Sequence, residues 1–279
     1  MRELSTDNEI PVQGPALQAE IGGRVNSAPA PARRSAKILG VRVDDVTNRE
    51  TLDLLESFIR SGDKHQVATV NPEFIMEAQR NPVFLRTLNK TSLSFPDGIG
   101  VVYASKIYGV PFRERVAGVD VVERLAGIAA RKGYTFFFLG AAPGVADRAA
   151  DILRGKNPGL AIVGTYGGSP SPDEEEEICA RINAVRPDIL LVAYGAPRQD
   201  LWISGNLHRL DVSVAIGVGG TFDFITGKSV RAPEWIRKIG LEWLHRLYCE
   251  PRRWRRMLAL PSFAVRCAID RIREHPKGR

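Results

Sequence analysis

From residue 38 onward, short apolar runs alternate with amphipathic stretches at a spacing that predicts strand and helix in turn. Ile38–Val43 reads as a strand. Thr47-Asn48-Arg49-Glu50 is a capping box, and Leu52, Leu55, Phe58 and Ile59 follow it at helical spacing. Val67–Val70 is the next strand, and Pro72 opens a helix carrying Phe74, Ile75 and Ala78. Leu93–Phe95 is a strand, and Gly98–Tyr108 is read as helix. The second half repeats the rhythm. Tyr134–Leu139, Ala161–Val163, Ile189–Ala193 and Val212–Ile216 are strands, with helices predicted over Val145–Leu153, from Pro172, and through Leu207. This alternation predicts a Rossmann-like α/β fold, a mostly parallel sheet with helices on both faces.

The flanks depart from the pattern. Residues 1–36 hold four prolines and no aromatic, so they predict a disordered tail ahead of a catalytic core at 37–227. From Pro233, Trp235, Ile236, Leu241, Trp243, Leu244 and Trp254 interleave with arginines. Two or three basic amphipathic helices are expected there, interrupted near Pro251 and Pro261. Charge sharpens this division. Residues 228–279 carry 14 Lys/Arg against 5 Asp/Glu, a local +9 in a chain of net +7, so the rest is near −2. A basic appendage beside a nearly neutral body points to an anionic partner without choosing among nucleotide, nucleic acid and lipid surface. Cys179, Cys249 and Cys267 form neither a disulfide framework nor a zinc motif, which fits a reducing cytoplasm. Neither a secretory signal nor a run long enough for a transmembrane helix is expected.

Polar residues cluster where apolar runs stop, and open α/β sheets bind ligands at strand ends. Thr69 and Asn71 follow one run, and Asp97 in Pro96-Asp97-Gly98 follows another. Arg115 and Asp120 come soon after. Asp97 is placed to act as a general base on a hydroxyl; Pro-Asp-Gly is also a common turn tripeptide. Glycine turns follow three other strands: Gly140-Ala141-Ala-Pro-Gly144, Gly195-Ala-Pro-Arg-Gln199 and Gly217-Val-Gly219-Gly-Thr-Phe-Asp223. Such turns let phosphate approach backbone N–H groups, which favours a nucleotide or nucleotide-sugar. None matches the dinucleotide fingerprint or a Walker loop. That counts against an oxidoreductase. Arg246, Arg252, Arg253, Arg255 and Arg256 suit a diphosphate, lipid headgroups or nucleic acid, or simply a solvated helix face. No Asp-x-Asp metal pair, G-x-S-x-G elbow or H-E-x-x-H is present, and the four histidines are isolated.

The ordered set Thr69-Val-Asn71-Pro-Glu, Pro96-Asp97-Gly98-Ile-Gly100, Arg115-Val-Ala-Gly118-Val-Asp120, Phe138-Leu-Gly140-Ala, Gly195-Ala-Pro-Arg-Gln199, Gly217-Val-Gly-Gly-Thr-Phe-Asp223 and Glu242-Trp-Leu-x-Arg246 resembles the WecG/TagA/CpsF family of bacterial glycosyltransferases, glycosyltransferase family 26. The resemblance covers about residues 38–260. It implies an inverting, metal-independent transferase that needs no cofactor. Such an enzyme moves N-acetylmannosamine, its uronic acid or glucose from a UDP-sugar donor to a polyprenyl-diphosphate-linked acceptor in surface polysaccharide biosynthesis.

The same resemblance implies that Asp97 is the catalytic base, with Thr69, Asn71, Arg115 and Gln199 lining its pocket. The nucleotide-sugar would be held by Gly140, Ala141, Gly195, Gly217, Gly219 and Asp223, joined by Arg246, Arg253 and Arg256 from the appendage. Residues 228–279 would dock on the anionic inner face of the cytoplasmic membrane and fold over the site. No nucleic acid is expected as partner. The alternative is a nucleotide-binding module whose basic tail holds nucleic acid or a partner protein.

Overall fold

The computed structural model describes residues 33–274 apart from 239, 252 and 253; the side chains of 238, 255, 256 and 274 also fall outside the description. Most of the predicted tail therefore lies outside the described residues. The first strand begins earlier than the pattern indicates and is really two. β1 (Ser35–Ile38) pairs antiparallel with β2 (Val41–Asp44). Leu39 and Gly40 make the turn between them with φ of 47° and 79°. A two-residue hairpin loop of this kind needs positive φ at both positions. A leucine at the first of them hides the turn from a hydrophobicity reading.

α1 (Asn48–Ser61) starts at the predicted capping box, with the Thr47 and Glu50 side chains each bonded to the other's backbone N–H. β3 (His65–Val70) leads into α2 (Pro72–Ala78) and α3 (Pro82–Lys90). α3 was not anticipated, although Asn81-Pro82 repeats the Asn71-Pro72 start: each Asn side chain accepts from the N–H three residues on. β4 (Leu93–Pro96), α4 (Ile99–Ile107) and α5 (Gly118–Lys132) complete the first half.

The second half runs β5 (Thr135–Gly140), α6 (Val145–Lys156), β6 (Ala161–Tyr166), α7 (Pro172–Val185), β7 (Ile189–Ala193), α8 (Arg198–Asn206), β8 (Val214–Gly217) and α9 (Thr221–Ile225). Four helices follow: α10 (Glu234–Lys238), α11 (Glu242–Cys249), α12 (Trp254–Met257) and α13 (Ala259–Glu274). The break expected at Pro261 is absent. Pro261 falls in the first turn of α13, where its missing N–H costs no helical bond.

β3 to β8 form one parallel sheet in the order β4-β3-β8-β7-β5-β6. Side chains alternate between its two faces. Val67, Phe136, Phe138, Ile189, Leu191 and Ile216 join α1, α5, α6 and α9 in one core. Ala68 and Val70 point the other way, into a core with the β1–β2 hairpin, α2, α3, α4 and α13; Phe137, Leu139, Leu190 and Val192 do the same with α7 and α8. Both faces are covered, as a parallel sheet requires. The chain steps from β3 out to β4, crosses to β5 and β6, then fills the middle with β7 and β8. Loops leaving the C-terminal ends of the central strands therefore diverge and leave a crevice between them.

Candidate active site

A cavity of about 550 Å³ opens at that crevice. Its wall includes Thr69 and Asn71 after β3, Asp97 after β4, Arg115 before α5, Gly195 and Gln199 after β7, and Gly219 after β8; Arg246 of α11 closes it from the C-terminal segment. Eight of the sequence-predicted residues thus meet in one place, drawn from segments more than 170 positions apart.

The strand ends are held together tightly. Thr69 Oγ1 donates to the Gly217 carbonyl (3.1 Å), tying β3 to β8. Asn71 Oδ1 is spent capping α2 by accepting from Phe74 N–H (3.1 Å). Gln199 is fully buried, and its Oε1 accepts from the N–H groups of both Gly195 (3.1 Å) and Gly219 (2.9 Å), clamping two glycine loops to one side chain. Gly98 is glycine because α2 and α4 start against each other: a Cβ there would lie 2.7 Å from Pro72 Cδ and 3.3 Å from Asn71 Cβ.

Asp97 is half-buried. Its Oδ1 accepts from Gly118 N–H at the start of α5 (2.9 Å), and its own N–H donates to the Val70 carbonyl (2.9 Å). Burial pushes its pKa above the ordinary carboxylate value; the Gly118 bond and the Arg115 charge pull back, Glu242 adds to the rise and Arg246 opposes it. A carboxylate of raised pKa, fixed at a cavity wall, is a stronger proton acceptor than an exposed one.

The same cavity wall carries a charge network that no motif in the sequence signals. Arg115 Nη1 pairs with Glu242 Oε2 (2.8 Å). Arg231 pairs through two nitrogens with Asp120 (2.5 and 2.8 Å) and approaches Glu242 Oε1 at 3.6 Å. Burial alone would raise the Asp120 carboxyl, but Arg231 outweighs it and holds the pKa below the usual range. Arg246 lies over the Phe224 ring, 4.6 Å from its centroid. Three guanidinium groups, Arg115, Arg231 and Arg246, therefore line one cavity with Asp97. Arg231 carries no motif of its own, and Glu242 was visible only as part of Glu242-Trp-Leu-x-Arg246.

Other predicted residues fall elsewhere. Gly140 and Ala141 end β5 outside the cavity wall. Gly140 has φ of 91°, and a Cβ on it would lie 2.9 Å from the Tyr194 ring, so backbone conformation and packing account for it. Gly217 is packed inside β8, where a Cβ would lie 2.6 Å from Gln199 Nε2 and 2.8 Å from Asp200 Oδ1. Asp223 faces Lys228 at 3.8 Å and does not line the cavity. Of the three glycine turns, two line the cavity and one does not, because β5 lies beyond β7 from the crevice. Arg253 and the side chain of Arg256 lie outside the described residues. Among the described residues no three His, Cys, Asp or Glu side chains gather to hold a metal ion, and no helix is long and apolar enough to cross a membrane.

Residues 36–277 match the model of the glycosyl transferase WecG/TagA/CpsF family. A Bacillus spizizenii protein named N-acetylglucosaminyldiphosphoundecaprenol N-acetyl-beta-D-mannosaminyltransferase is 38% identical over 199 residues, 71% of this chain and 77% of the relative. Proteins of the same name from Bacillus subtilis and Staphylococcus aureus are 33% identical over 219 residues (76% and 85% of the two chains) and 29% identical over 233 residues (83% and 91%).

Proposed function

Because the chain belongs to the WecG/TagA/CpsF family and is a glycosyltransferase, we propose that it moves N-acetylmannosamine from UDP to N-acetylglucosamine carried on a polyprenyl diphosphate, with inversion and without a metal. The names of the relatives supply the sugar and the acceptor class. The observation that carries the chemistry is the one cavity that Asp97 shares with Arg115, Arg231 and Arg246.

In this reading the acceptor hydroxyl oxygen attacks the anomeric carbon of the donor. The new oxygen–carbon bond forms as the bond from that carbon to the UDP oxygen breaks. The bonding pair leaves with UDP, and the hydroxyl proton passes to Asp97. One displacement inverts the centre, so one base suffices. Charge develops on the departing diphosphate, and fixed guanidinium groups stabilise it in place of a metal ion. Arg253 and Arg256 would add to that set. Thr69, Asn71 and Gln199 keep the walls at a fixed spacing around the sugars.

Residues 37–227 act as the catalytic core and 228–279 as a docking appendage on the anionic inner face of the cytoplasmic membrane, with no nucleic acid involved. Eleven of the 16 exposed large hydrophobic side chains in the described residues lie after position 229, among them Trp235, Trp243 and Trp254. Tryptophan and arginine together suit a membrane interface.

The test is incubation with a panel of UDP-sugars and a short-chain polyprenyl-diphosphate N-acetylglucosamine, with and without EDTA, read by product mass. One added N-acetylhexosamine with UDP release, unchanged by EDTA, is expected. No UDP release with any donor would overturn the reading, and loss of product in EDTA would overturn its metal-free part.

A further inference from the structure

The cavity does not end at the polar residues. It continues into an apolar arm between α4 and α13. Ile99, Tyr103 and Ile107 recur every four residues, so they share one face of α4. Leu260, Phe263 and Cys267 share one face of α13 in the same way. All six line the cavity, and none carries a charge at neutral pH. The arm joins the polar part close to Asp97: a Cβ on Gly100, one helical turn from that carboxylate, would lie 3.9 Å from the Phe263 ring.

The floor of the arm is solid and its rim is open. Phe263 and Cys267 are buried in the core shared with α2 and α4. Tyr103 and Ile107 are about half exposed, at 55% and 42%. The Tyr108 hydroxyl donates to Asp270 Oδ2 (2.6 Å), which pins the far end of α4 to α13 and holds the width of the arm.

Apart from its planar uracil, a UDP-sugar has no apolar part to place along these two helices, and an acceptor sugar has no extended one either. An apolar chain joined directly to a diphosphate does. We propose that the arm binds the first isoprene units of the acceptor's polyprenyl chain, so that lipid contact helps to seat the acceptor sugar beside Asp97. The proposal rests on the acceptor class given above and adds a subsite to it. Ile99 to Ile107 spans about 12 Å of helix, enough for about two or three isoprene units. Burying each unit should tighten binding by roughly tenfold or more until the arm is full. Beyond that length, further units would remain in the bilayer and add nothing to recognition.

Soluble short-chain probes separate this subsite from membrane partitioning. Binding of dimethylallyl, geranyl and farnesyl diphosphate to the full chain is measured by calorimetry below their micelle concentrations. Transfer to N-acetylglucosamine diphosphates bearing the same three tails is measured beside it. Affinity and kcat/KM are expected to rise roughly tenfold per added unit. Ala264→Trp, at an exposed cavity-lining position of α13, should flatten both series while leaving UDP affinity and activity on the shortest acceptor unchanged. Ile107→Lys, at the exposed rim, should do the same without disturbing a buried position. Equal affinity for all three tails, or a tail dependence that both variants leave intact, overturns the arm. Absence of transfer with every acceptor, alongside a tail-dependent affinity that the variants abolish, overturns the catalytic reading and leaves the arm supported.

Discussion

Asp200 lies directly beneath the site and takes no part in the chemistry described above, yet its replacement should change the pH dependence of the whole fold. It is completely buried, and both carboxylate oxygens are shielded from solvent. Burial pushes its pKa up to about 7, against a weaker opposing pull from the Gln199 amide. In the unfolded chain the value is about 4. The folded state therefore binds the proton more tightly, and between these two values it carries more bound protons than the unfolded state. Stability then falls as pH rises. The contribution is fully present below about pH 4 and gone above about pH 7, and a shift of about three units corresponds to roughly 4 kcal/mol. Asp200→Asn keeps the shape and cannot titrate. Urea denaturation of both proteins at intervals between about pH 4 and 8 should show the variant's advantage growing with pH, towards several kcal/mol at the top of that window. A difference between the two that stays constant with pH would show that folded Asp200 holds no more protons than the unfolded chain does, and would refute the reasoning.

Four further outcomes follow from the site. Asp97→Asn should reduce kcat by several orders of magnitude with UDP affinity nearly kept. In the native enzyme the acid limb of kcat/KM should have its midpoint above the ordinary carboxylate value, because burial raises Asp97; an unchanged rate in the variant makes Asp97 structural. Gly98→Ala should cost about 1–3 kcal/mol, measured by urea midpoint, since the new methyl meets Pro72 and Asn71 while φ of −100° remains acceptable for alanine. Deletion after Gly227 should abolish transfer and lower the melting temperature, because it uncovers the core around Phe263 and Cys267; loss of one such aromatic costs about 3–5 kcal/mol. Glu242→Gln should tighten UDP binding in calorimetry by severalfold, and weaker binding would show that Glu242 only orders the loop.

The strands and the strand-end residues were legible because each rests on a local rule. Apolar runs mark β3, β5 and β7, and Thr47–Glu50 and Asn71-Pro72 mark helix starts. The hairpin was missed because the chain turns at Leu39, an apolar residue in a conformation usually left to glycine. Pro261 misled because its effect depends on which turn of a helix it occupies. Gly140 and Gly217 looked like phosphate contacts because the same residue serves close packing and close ligand approach. Strand order places Gly140 away from the cavity wall, and packing against Gln199 and Asp200 accounts for Gly217. Arg231 and Asp120 stand 111 positions apart, and no spacing within the sequence signals their pairing. The apolar arm was hidden for a related reason: Tyr103 and Leu260 lie on helices more than 150 positions apart, and no spacing within the sequence signals that their faces meet.

The contact of Glu242 with both Arg115 and Arg231 means that the resting site already holds an anion of its own. In the proposed reaction, a diphosphate arriving at those guanidinium groups would have to exchange with that carboxylate. The affinity for that diphosphate would then be a difference between two ion pairings. Because Glu242 begins α11, such an exchange would act on the helix that carries Arg246. On the proposed function, occupancy of the donor site and the posture of the basic C-terminal segment would then be one coupled equilibrium.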